Sequence, residues 1–309
     1  MKRVVVTGSL PRDVEVALAT RYDVRKAELR ALGAERFLAE IDEPDGLVVQ
    51  PGDPVTAALI DGLPPSVRVV ASYSVGLDHV DLAAAERRGL PVTNTPDVLT
   101  DATADTAMLL ILGALRGATP AAALLRSGDW SGWQPSQVFG RDLAGRTLGV
   151  LGAGRIGTAT ARRAAAFGMH LVYWSGRSRS AEIEAAGAEP VEDFGAFLRR
   201  SEVLSLHAPS TSETKGLIDA SVLAQLPDGA VLVNTARGDL IVDEDVIAAA
   251  RFGKLFGIGL DVFADEPDLH PGYLELPNAF LLPHVGSATI ETRAAMGRKV
   301  LEGLARHLD

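Results

Sequence analysis

The stretch Thr147-Leu148-Gly149-Val150-Leu151-Gly152-Ala153-Gly154-Arg155-Ile156-Gly157 decides the fold of this 309-residue chain. Its apolar half predicts a buried strand, and its glycines have the G-x-G-x-x-G spacing of a loop that binds a dinucleotide pyrophosphate. In such a loop Gly152 permits the tight turn, Gly154 lets the backbone approach the phosphates, and Gly157 lets the next helix pack on its strand. The preceding strand and the following alanine-rich helix favour cofactor binding over the alternative, a purely structural turn.

Short apolar runs alternate with helical stretches on both sides of this loop. The predicted strands cover 3–7, 46–50, 67–72, 91–94, 147–151, 170–174, 203–206, 231–234, 257–261 and 280–282. Alternation without hairpin signals predicts an α/β fold with two doubly wound parallel-sheet domains. Leu99–Leu115 predicts a long linking helix, and a final helix is expected over about 290–308. We therefore expect one domain from 1–98 plus 285–309, and a dinucleotide-binding domain from 99–284.

Composition excludes several classes of protein. Apolar runs stay well short of the roughly 20 residues that cross a bilayer, so we expect neither a membrane span nor a signal peptide, and a cytoplasmic location. The chain has no cysteine, which excludes disulfides and thiol nucleophiles, and no His and Asp set has metal-ligand spacing, so no metal is expected. Thirty basic and forty acidic residues give a net charge of −10, which argues against a nucleic-acid partner.

The end of the second strand of the dinucleotide domain predicts which cofactor binds. NAD sites usually place an acidic residue about 20 residues after the glycine loop, to bind the ribose 2′-hydroxyl. This chain instead has Ser175-Gly176-Arg177-Ser178-Arg179. Arg177 can bind a 2′-phosphate through charge-assisted hydrogen bonds, and Ser175 and Ser178 add hydroxyl groups. The predicted cofactor is NADP(H), with NAD(H) possible; a solvated basic turn is the alternative.

Three polar residues follow further apolar strands of the same domain, where ligands gather in open α/β sheets. Arg237 can hold a carboxylate in a planar fork and polarise an adjacent carbonyl, although a surface ion pair would also explain it. Reduction of a 2-oxoacid to a 2-hydroxyacid needs a proton donor within hydrogen-bond reach, a role that fits His284. Glu266 is its predicted partner, because a neighbouring carboxylate favours the protonated imidazole.

The other histidines are weaker candidates. His79 is predicted to be structural and to lie near a helix start. His207 is predicted to line the cofactor cleft, and the remaining three, His170, His270 and His307, are predicted to be surface or packing residues.

Several segments resemble the D-isomer-specific 2-hydroxyacid dehydrogenase family, in order and over essentially the whole chain. They are Ser74-Val75-Gly76-Leu77-Asp78, Asn94-Thr95-Pro96, Thr103-Ala104-Asp105-Thr106-Ala107, Leu206-His207-Ala208-Pro209, Asn234-Thr235-Ala236-Arg237-Gly238 and Pro283-His284-Val285-Gly286-Ser287. The resemblance implies a Rossmann NAD(P)-binding domain inserted in a flavodoxin-like substrate domain. It also implies that Arg237 binds substrate, that Glu266 supports the histidine and that His284 transfers the proton.

The resemblance implies further contacts with substrate and cofactor. The amides of Val75 and Gly76 would hold the substrate carboxylate, beside Arg237 and His284, and Asp261 would bind the nicotinamide amide. The full set of expected cofactor residues is Thr103, Gly152, Gly154, Arg155, Ile156, Gly157, Ser175, Arg177, Ser178, His207, Ala208, Pro209, Ala236, Arg237, Asp261, His284 and Gly286.

Within the family, 127–133, 175–179 and 281–289 are most similar to bacterial glyoxylate/hydroxypyruvate reductases, also described as 2-ketogluconate reductases. This implies NADPH-dependent reduction of a small 2-oxoacid by a homodimer built around the linking helix, with the 130–135 loop reaching the partner. Gln50-Pro51-Gly52-Asp53-Pro54 departs from the expected turn, which leaves the preferred oxoacid open.

The alternatives are a 3-phosphoglycerate dehydrogenase-like enzyme, disfavoured because the acid after the second strand is missing, and a non-catalytic NADP(H) sensor. A formate dehydrogenase fits less well, since that reaction needs no proton donor.

Overall fold

The computed structural model describes residues 1–176 and 178–309, which form two compact units, 1–99 with 287–309 and 100–286. The strands are β1 (Arg3–Val6), β2 (Asp23–Lys26), β3 (Gly46–Val49), β4 (Val69–Ser72), β5 (Val92–Thr93), β6 (Thr147–Leu151), β7 (His170–Trp174), β8 (Glu189–Pro190), β9 (Val203–Leu206), β10 (Ala230–Asn234), β11 (Leu255–Leu260) and β12 (Ala279–Leu281). The helices are α1 (Arg12–Arg21), α2 (Leu29–Glu40), α3 (Ala57–Gly62), α4 (Leu82–Arg88), α5 (Thr100–Leu115), α6 (Ala118–Ser127), α7 (Arg155–Ala166), α8 (Ala181–Glu184), α9 (Phe194–Arg200), α10 (Ala220–Gln225), α11 (Asp243–Arg251) and α12 (Ile290–Leu308).

The first unit is built on a parallel sheet with the strand order β2-β1-β3-β4-β5. This is the order of flavodoxin-like folds. Valine-rich β1, β3 and β4 are almost wholly buried, as expected for a parallel sheet with helices on both faces. The C-terminal helix α12 closes one face by packing Met296, Val300 and Leu304 against valines of this sheet.

The second unit is built on a seven-stranded parallel sheet with the order β12-β11-β10-β9-β6-β7-β8. Strand β6 lies between β7 and β9, so the chain leaves it in one direction along the sheet and returns on its other side. Such a switch in strand order opens a crevice at the carboxyl ends of the strands, where dinucleotides bind in Rossmann folds. Helix α5 packs its buried Leu110 and Ile111 into the core of this unit.

The predicted α/β fold with two parallel sheets is confirmed, and the predicted bounds of β6, β7 and β9 match those observed. Two short strands, β2 and β8, were not predicted from the sequence. The linking helix ends at Leu115, and α6 begins at Ala118 at an angle of 70° to it. Among the described residues no single helix is both long and apolar enough to cross a bilayer; α5 and α6 pass that test only as a bent pair.

Candidate active site

The loop after β6 has the close backbone packing that its glycines predict. Gly152 has φ 103°, and a Cβ there would lie 2.7 Å from the backbone of His207 and Ala208. A Cβ at Gly157 would overlap the Gly152 carbonyl oxygen, whereas a Cβ at Gly154 would meet nothing within 4 Å. Two of the glycines therefore bring chain segments together, and the third leaves open space.

That open space lies at the start of α7, where Gly154 is the N-cap and Arg155 and Ile156 form the first turn. The first N–H groups of a helix lack intrahelical acceptors, and the helix dipole favours an anion there. The residues therefore fit a bound pyrophosphate on two independent grounds, the room at Gly154 and the donors of α7.

The turn after β7 is held by its own polar groups. The Ser175 hydroxyl donates to the Ser178 carbonyl. Arg179 donates to both oxygens of Glu184, over 3.0 and 2.9 Å, and Tyr173 donates to the same carboxylate over 2.6 Å. Arg179 is thereby paired with Glu184 at the end of α8. Arg177, the predicted ligand of the 2′-phosphate, lies outside the described residues.

His207 follows β9 and is half-buried, with its side chain against Ser205, whose Oγ lies 2.8 Å from Nε2. Burial lowers the pKa of His207 to about 4, so the ring is neutral at physiological pH. A neutral imidazole is a poor proton donor, which favours His284 over His207 in that role. The neighbouring Ala208 is buried, and Pro209 accepts a hydrogen bond from Thr214 over 2.7 Å.

The segment after β10 positions Arg237 through its neighbours. Asn234 is buried and holds the turn through two hydrogen bonds. Its side-chain amide donates to the Arg237 carbonyl over 2.7 Å and accepts from Ala236 N–H over 2.9 Å. The Arg237 guanidinium also donates to the Ala236 carbonyl over 2.7 Å. A Cβ at Gly238 would overlap the backbone of Phe263, so glycine is needed for the two loops to pack.

Glu266 and His284 form the predicted pair. Their Oε2 and Nδ1 atoms lie 2.7 Å apart, and the other Glu266 oxygen accepts from Phe263 N–H over 2.9 Å. Burial would raise the pKa of Glu266, but the hydrogen bond and charge of His284, with a contribution from Arg237, lower it below its usual value. The carboxylate is therefore ionised, and because it occupies Nδ1, the remaining ring nitrogen of His284 is Nε2.

The backbone of His284 is held by Asp261, a role that the sequence did not reveal. The Asp261 carbonyl accepts from His284 N–H over 2.8 Å, and its two carboxylate oxygens accept from Val285 and Gly286 N–H over 2.7 Å each. His284 has φ 54°, a left-handed conformation uncommon for a residue with a side chain. Burial raises the pKa of Asp261, and the two amide donors partly offset this. Asp261 thus accepts three hydrogen bonds from the backbone of residues 284–286, and these stabilise the unusual conformation of His284.

Other expected contact residues lie where their elements place them. Thr103, on α5, is buried beside Gly286, since a Cβ at Gly286 would lie 3.4 Å from the Thr103 methyl group. Val75 and Gly76 belong to the first unit, in the loop that follows β4. Contact of these residues, and of Asp261, with substrate or cofactor stays a prediction. Among the described residues no three His, Asp or Glu side chains are grouped to hold a metal ion.

This unit combines a dinucleotide-binding crevice with a histidine–carboxylate pair. Hydride transfer between a nicotinamide and a substrate carbon requires both features, so fold and site define a nicotinamide-dependent oxidoreductase. The D-isomer specific 2-hydroxyacid dehydrogenase NAD binding domain matches residues 108–286. The chain belongs to the D-isomer-specific 2-hydroxyacid dehydrogenase family.

Relatives of this chain are similar over nearly their whole length. A glyoxylate reductase of Thermococcus litoralis is 39% identical, with 98% of this chain and 92% of the relative covered. A glycerate dehydrogenase of Hyphomicrobium methylovorum is 37% identical, with 96% and 93% covered. A solved structure is that of the NADPH-dependent glyoxylate/hydroxypyruvate reductase of Sinorhizobium meliloti in complex with NADP and malonate. Its sequence is 35% identical, the TM-score is 0.87, and the match covers 98% of this chain and 92% of that chain. The chain is therefore a nicotinamide-dependent 2-hydroxyacid dehydrogenase, from a family that acts on small 2-oxoacids.

Proposed function

We propose that the chain reduces glyoxylate, hydroxypyruvate or a related small 2-oxoacid to the D-2-hydroxyacid, with NADPH as the preferred cofactor and His284 as proton donor. The observation that carries the proposal is the 2.7 Å contact between His284 Nδ1 and a Glu266 carboxylate that a backbone N–H also holds. A carboxylate so placed fixes the orientation of the imidazole and, by pairing with Nδ1, leaves Nε2 as the ring nitrogen that can exchange a proton with a ligand.

When bound, the nicotinamide supplies the hydride that the substrate carbonyl carbon accepts. Gly152, Gly154 and the first turn of α7 would hold the pyrophosphate of the dinucleotide. The Arg237 guanidinium would bind the substrate carboxylate and polarise the neighbouring carbonyl, and His284 would transfer the Nε2 proton to the carbonyl oxygen. The proposal also assigns the amides of Val75 and Gly76 to the substrate carboxylate. One hydride and one proton then account for the alcohol formed.

The proposed preference for NADPH depends on the turn after β7. No acidic residue stands between Trp174 and Ala181, whereas two arginines and three serines do. Because Arg179 is paired with Glu184 and the Ser175 hydroxyl donates to the Ser178 carbonyl, we assign the 2′-phosphate to Arg177 and to the Ser178 hydroxyl. A relative, the Sinorhizobium meliloti enzyme, is described as NADPH-dependent, which supports this assignment.

Initial rates of NADPH and NADH oxidation with glyoxylate, hydroxypyruvate, pyruvate and 2-ketogluconate, each against a blank without substrate, test the proposed function. We expect turnover with at least one of these oxoacids and a higher kcat/KM with NADPH. Measurable NADPH binding without turnover on any of them would contradict the proposal and favour a cofactor-sensing protein.

Replacing Arg177 with alanine should weaken NADPH binding about 10- to 100-fold, because hydrogen bonds to a charged group contribute roughly 1.5–3 kcal/mol. NADH binding should change little, since NADH lacks the 2′-phosphate. Fluorescence titration of both cofactors measures the difference. Arg179→Ala is the matched control, because that side chain is already paired with Glu184; equal losses of NADPH and NADH affinity in Arg177→Ala would overturn the assignment.

We also propose a homodimer in which a second copy covers α6 and the loop after it. Helix α6 has no buried residue, and Leu125, Trp130, Trp133 and Phe139 in this region are exposed. Several large exposed apolar side chains within one segment are more than the single scattered ones normal on a surface, and they favour an interface. Sedimentation equilibrium should therefore give about twice the 32.5 kDa of one chain; a mass of one chain at micromolar concentration would contradict the dimer.

A further inference from the structure

The loop 74–77 of the first unit has each of its carbonyl groups held by a different partner. The Ser74 carbonyl accepts from Thr95 N–H over 2.8 Å. The Val75 carbonyl accepts from the Asn94 side chain over 2.8 Å, and the Gly76 carbonyl accepts from the Ser74 hydroxyl over 2.7 Å. Three consecutive peptide groups are therefore fixed in orientation.

These fixed carbonyls also fix the N–H groups of the loop. In a trans peptide the N–H points opposite to the carbonyl of the same plane. Glu266–Pro267 is the cis peptide found among the described residues, so the three peptides here are trans. The N–H groups of Val75, Gly76 and Leu77 are thus directed away from Thr95, Asn94 and the Ser74 hydroxyl. Within residues 1–176 and 178–309 these three N–H groups have no backbone hydrogen-bond acceptor, so they are available to an anion.

A relay of side chains extends from this loop to His79. The Ser72 hydroxyl lies 2.6 Å from the Ser74 hydroxyl and 3.1 Å from His79 Nε2. A carbonyl can only accept, so the single Ser74 hydroxyl proton is used on Gly76. Ser74 must then accept from Ser72, and Ser72 must accept from His79 Nε2–H. The donor in every hydrogen bond of the relay therefore follows from the Gly76 carbonyl, which can only accept.

The relay is enclosed by the fold. Ser72 ends β4 and is fully buried, and Ser74 is nearly so. A hydroxyl buried in this way is costly unless its hydrogen bonds are satisfied, so the chain of donors has one stable arrangement. His79 lies in the segment before α4, and Asn94, which contacts the loop, directly follows β5.

We propose that Asn94 and the His79–Ser72–Ser74 relay are positioning residues for the carboxylate of the 2-oxoacid, and that Leu77 N–H is a third donor beside those of Val75 and Gly76. The inference rests on the proposed function, which assigns the substrate carboxylate to this loop. His79 acts through Ser72 and Ser74 rather than by touching the substrate. Its role is to keep the Gly76 carbonyl turned away, so that Leu77 N–H faces the ligand.

Steady-state kinetics with glyoxylate at saturating NADPH tests the proposal in three variants, His79→Leu, Ser74→Ala and Asn94→Ala. We expect KM to rise about 10-fold or more and kcat to change less than about 3-fold, because a contact made equally in ground and transition states affects binding alone. The Kd for NADPH should not change. His79→Gln should restore a KM near the wild-type value, since the glutamine amide can donate where Nε2 does.

Asp81→Ala is the matched control for loss of stability. Asp81 caps α4 by accepting from Ala84 N–H over 2.8 Å, two residues from His79, and has no part in the relay. This variant should lower the melting temperature without raising KM. If Asp81→Ala raises KM as much as His79→Leu does, or if folded His79→Leu keeps the wild-type KM, the relay is overturned.

Equilibrium binding of oxalate to the NADPH-saturated enzyme separates this inference from the proposed reaction. If the wild type is inactive with every oxoacid but binds oxalate, and His79→Leu loses that binding while His79→Gln keeps it, the positioning role stands and the proposed reaction fails. If the wild type neither turns over nor binds oxalate, both fail. Turnover in the wild type with unchanged kinetics and oxalate binding in all three variants overturns the relay alone.

Discussion

Replacing His284 with alanine is expected to lower kcat for 2-oxoacid reduction by about 100-fold or more while leaving NADPH binding nearly unchanged. A positioned general acid typically contributes about 10²- to 10⁴-fold to a proton transfer, and alanine leaves no group to supply the proton at the carbonyl oxygen. The residues proposed to hold the pyrophosphate are on a different loop, after β6, so their geometry does not depend on the imidazole. The loss should therefore appear in kcat and kcat/KM rather than in the cofactor Kd.

Stopped-flow measurement of the single-turnover rate, together with NADPH titration, checks this expectation. His170→Ala is the control, because His170 lies exposed at the start of β7 and should be replaceable without effect on the rate. An unchanged single-turnover rate in His284→Ala would remove this residue from the mechanism. A parallel loss of NADPH affinity would indicate that the substitution had disturbed the Asp261-bound turn instead.

Glu266→Gln tests the carboxylate partner of His284. The hydrogen bond and the charge of His284 lower the pKa of Glu266, so the carboxylate is ionised where it meets Nδ1. Glutamine keeps a hydrogen-bond acceptor but removes the charge. We therefore expect kcat for 2-oxoacid reduction to fall by about 10-fold or more, with the Kd for NADPH unchanged. An unchanged kcat would show that the charge of Glu266 does not support the proton donor.

The fold was predictable because its central strands are buried on both faces. Such strands give continuous apolar runs, as in Val4–Val6 or Val203–Leu206, and their alternation with helices leaves few topologies. The two unpredicted strands lie at sheet edges: β2, Asp23–Lys26, is polar and partly exposed, and β8 has only two residues. Their pairing comes from the neighbouring strand rather than from a pattern of their own.

Part of the candidate site was predictable for a related reason. Arg237, Glu266 and His284 each follow an apolar run, and parallel strands bring their carboxyl ends to one edge of a sheet. The contacts that fix these side chains had no such signal. Asp261 uses its carboxylate on backbone amides of 285 and 286, and His79 acts through two serines, which no spacing or residue type specifies. Sequence therefore indicates the reacting groups more readily than the groups that orient them.

Replacing Arg237 with alanine should lower kcat/KM for the 2-oxoacid by roughly 10³-fold, because the side chain is assigned both the substrate carboxylate and the developing charge on the carbonyl oxygen. Removing one donor to such an oxyanion typically costs about 2.7–4 kcal/mol, or 10²- to 10³-fold in rate, and the carboxylate contact adds to it. KM should rise as well as kcat fall, which distinguishes this variant from His284→Ala.

Arg237→Lys tests whether charge alone is sufficient. The hydrogen bonds of Asn234 and the packing of Gly238 on Phe263 hold the backbone of residue 237 in place whatever its side chain is. Lysine would therefore extend its ammonium from the same backbone position. An ammonium is a point charge without the planar fork, and it cannot bind a carboxylate through two parallel N–H donors. We therefore expect about a 100-fold loss in kcat/KM with lysine, with Arg251→Ala, which breaks an exposed pair with Glu275, as the unaffected control. Full activity with lysine would assign Arg237 a purely electrostatic role, and full activity with alanine would exclude it from substrate binding, which leaves the carboxylate to the amides of the 74–77 loop.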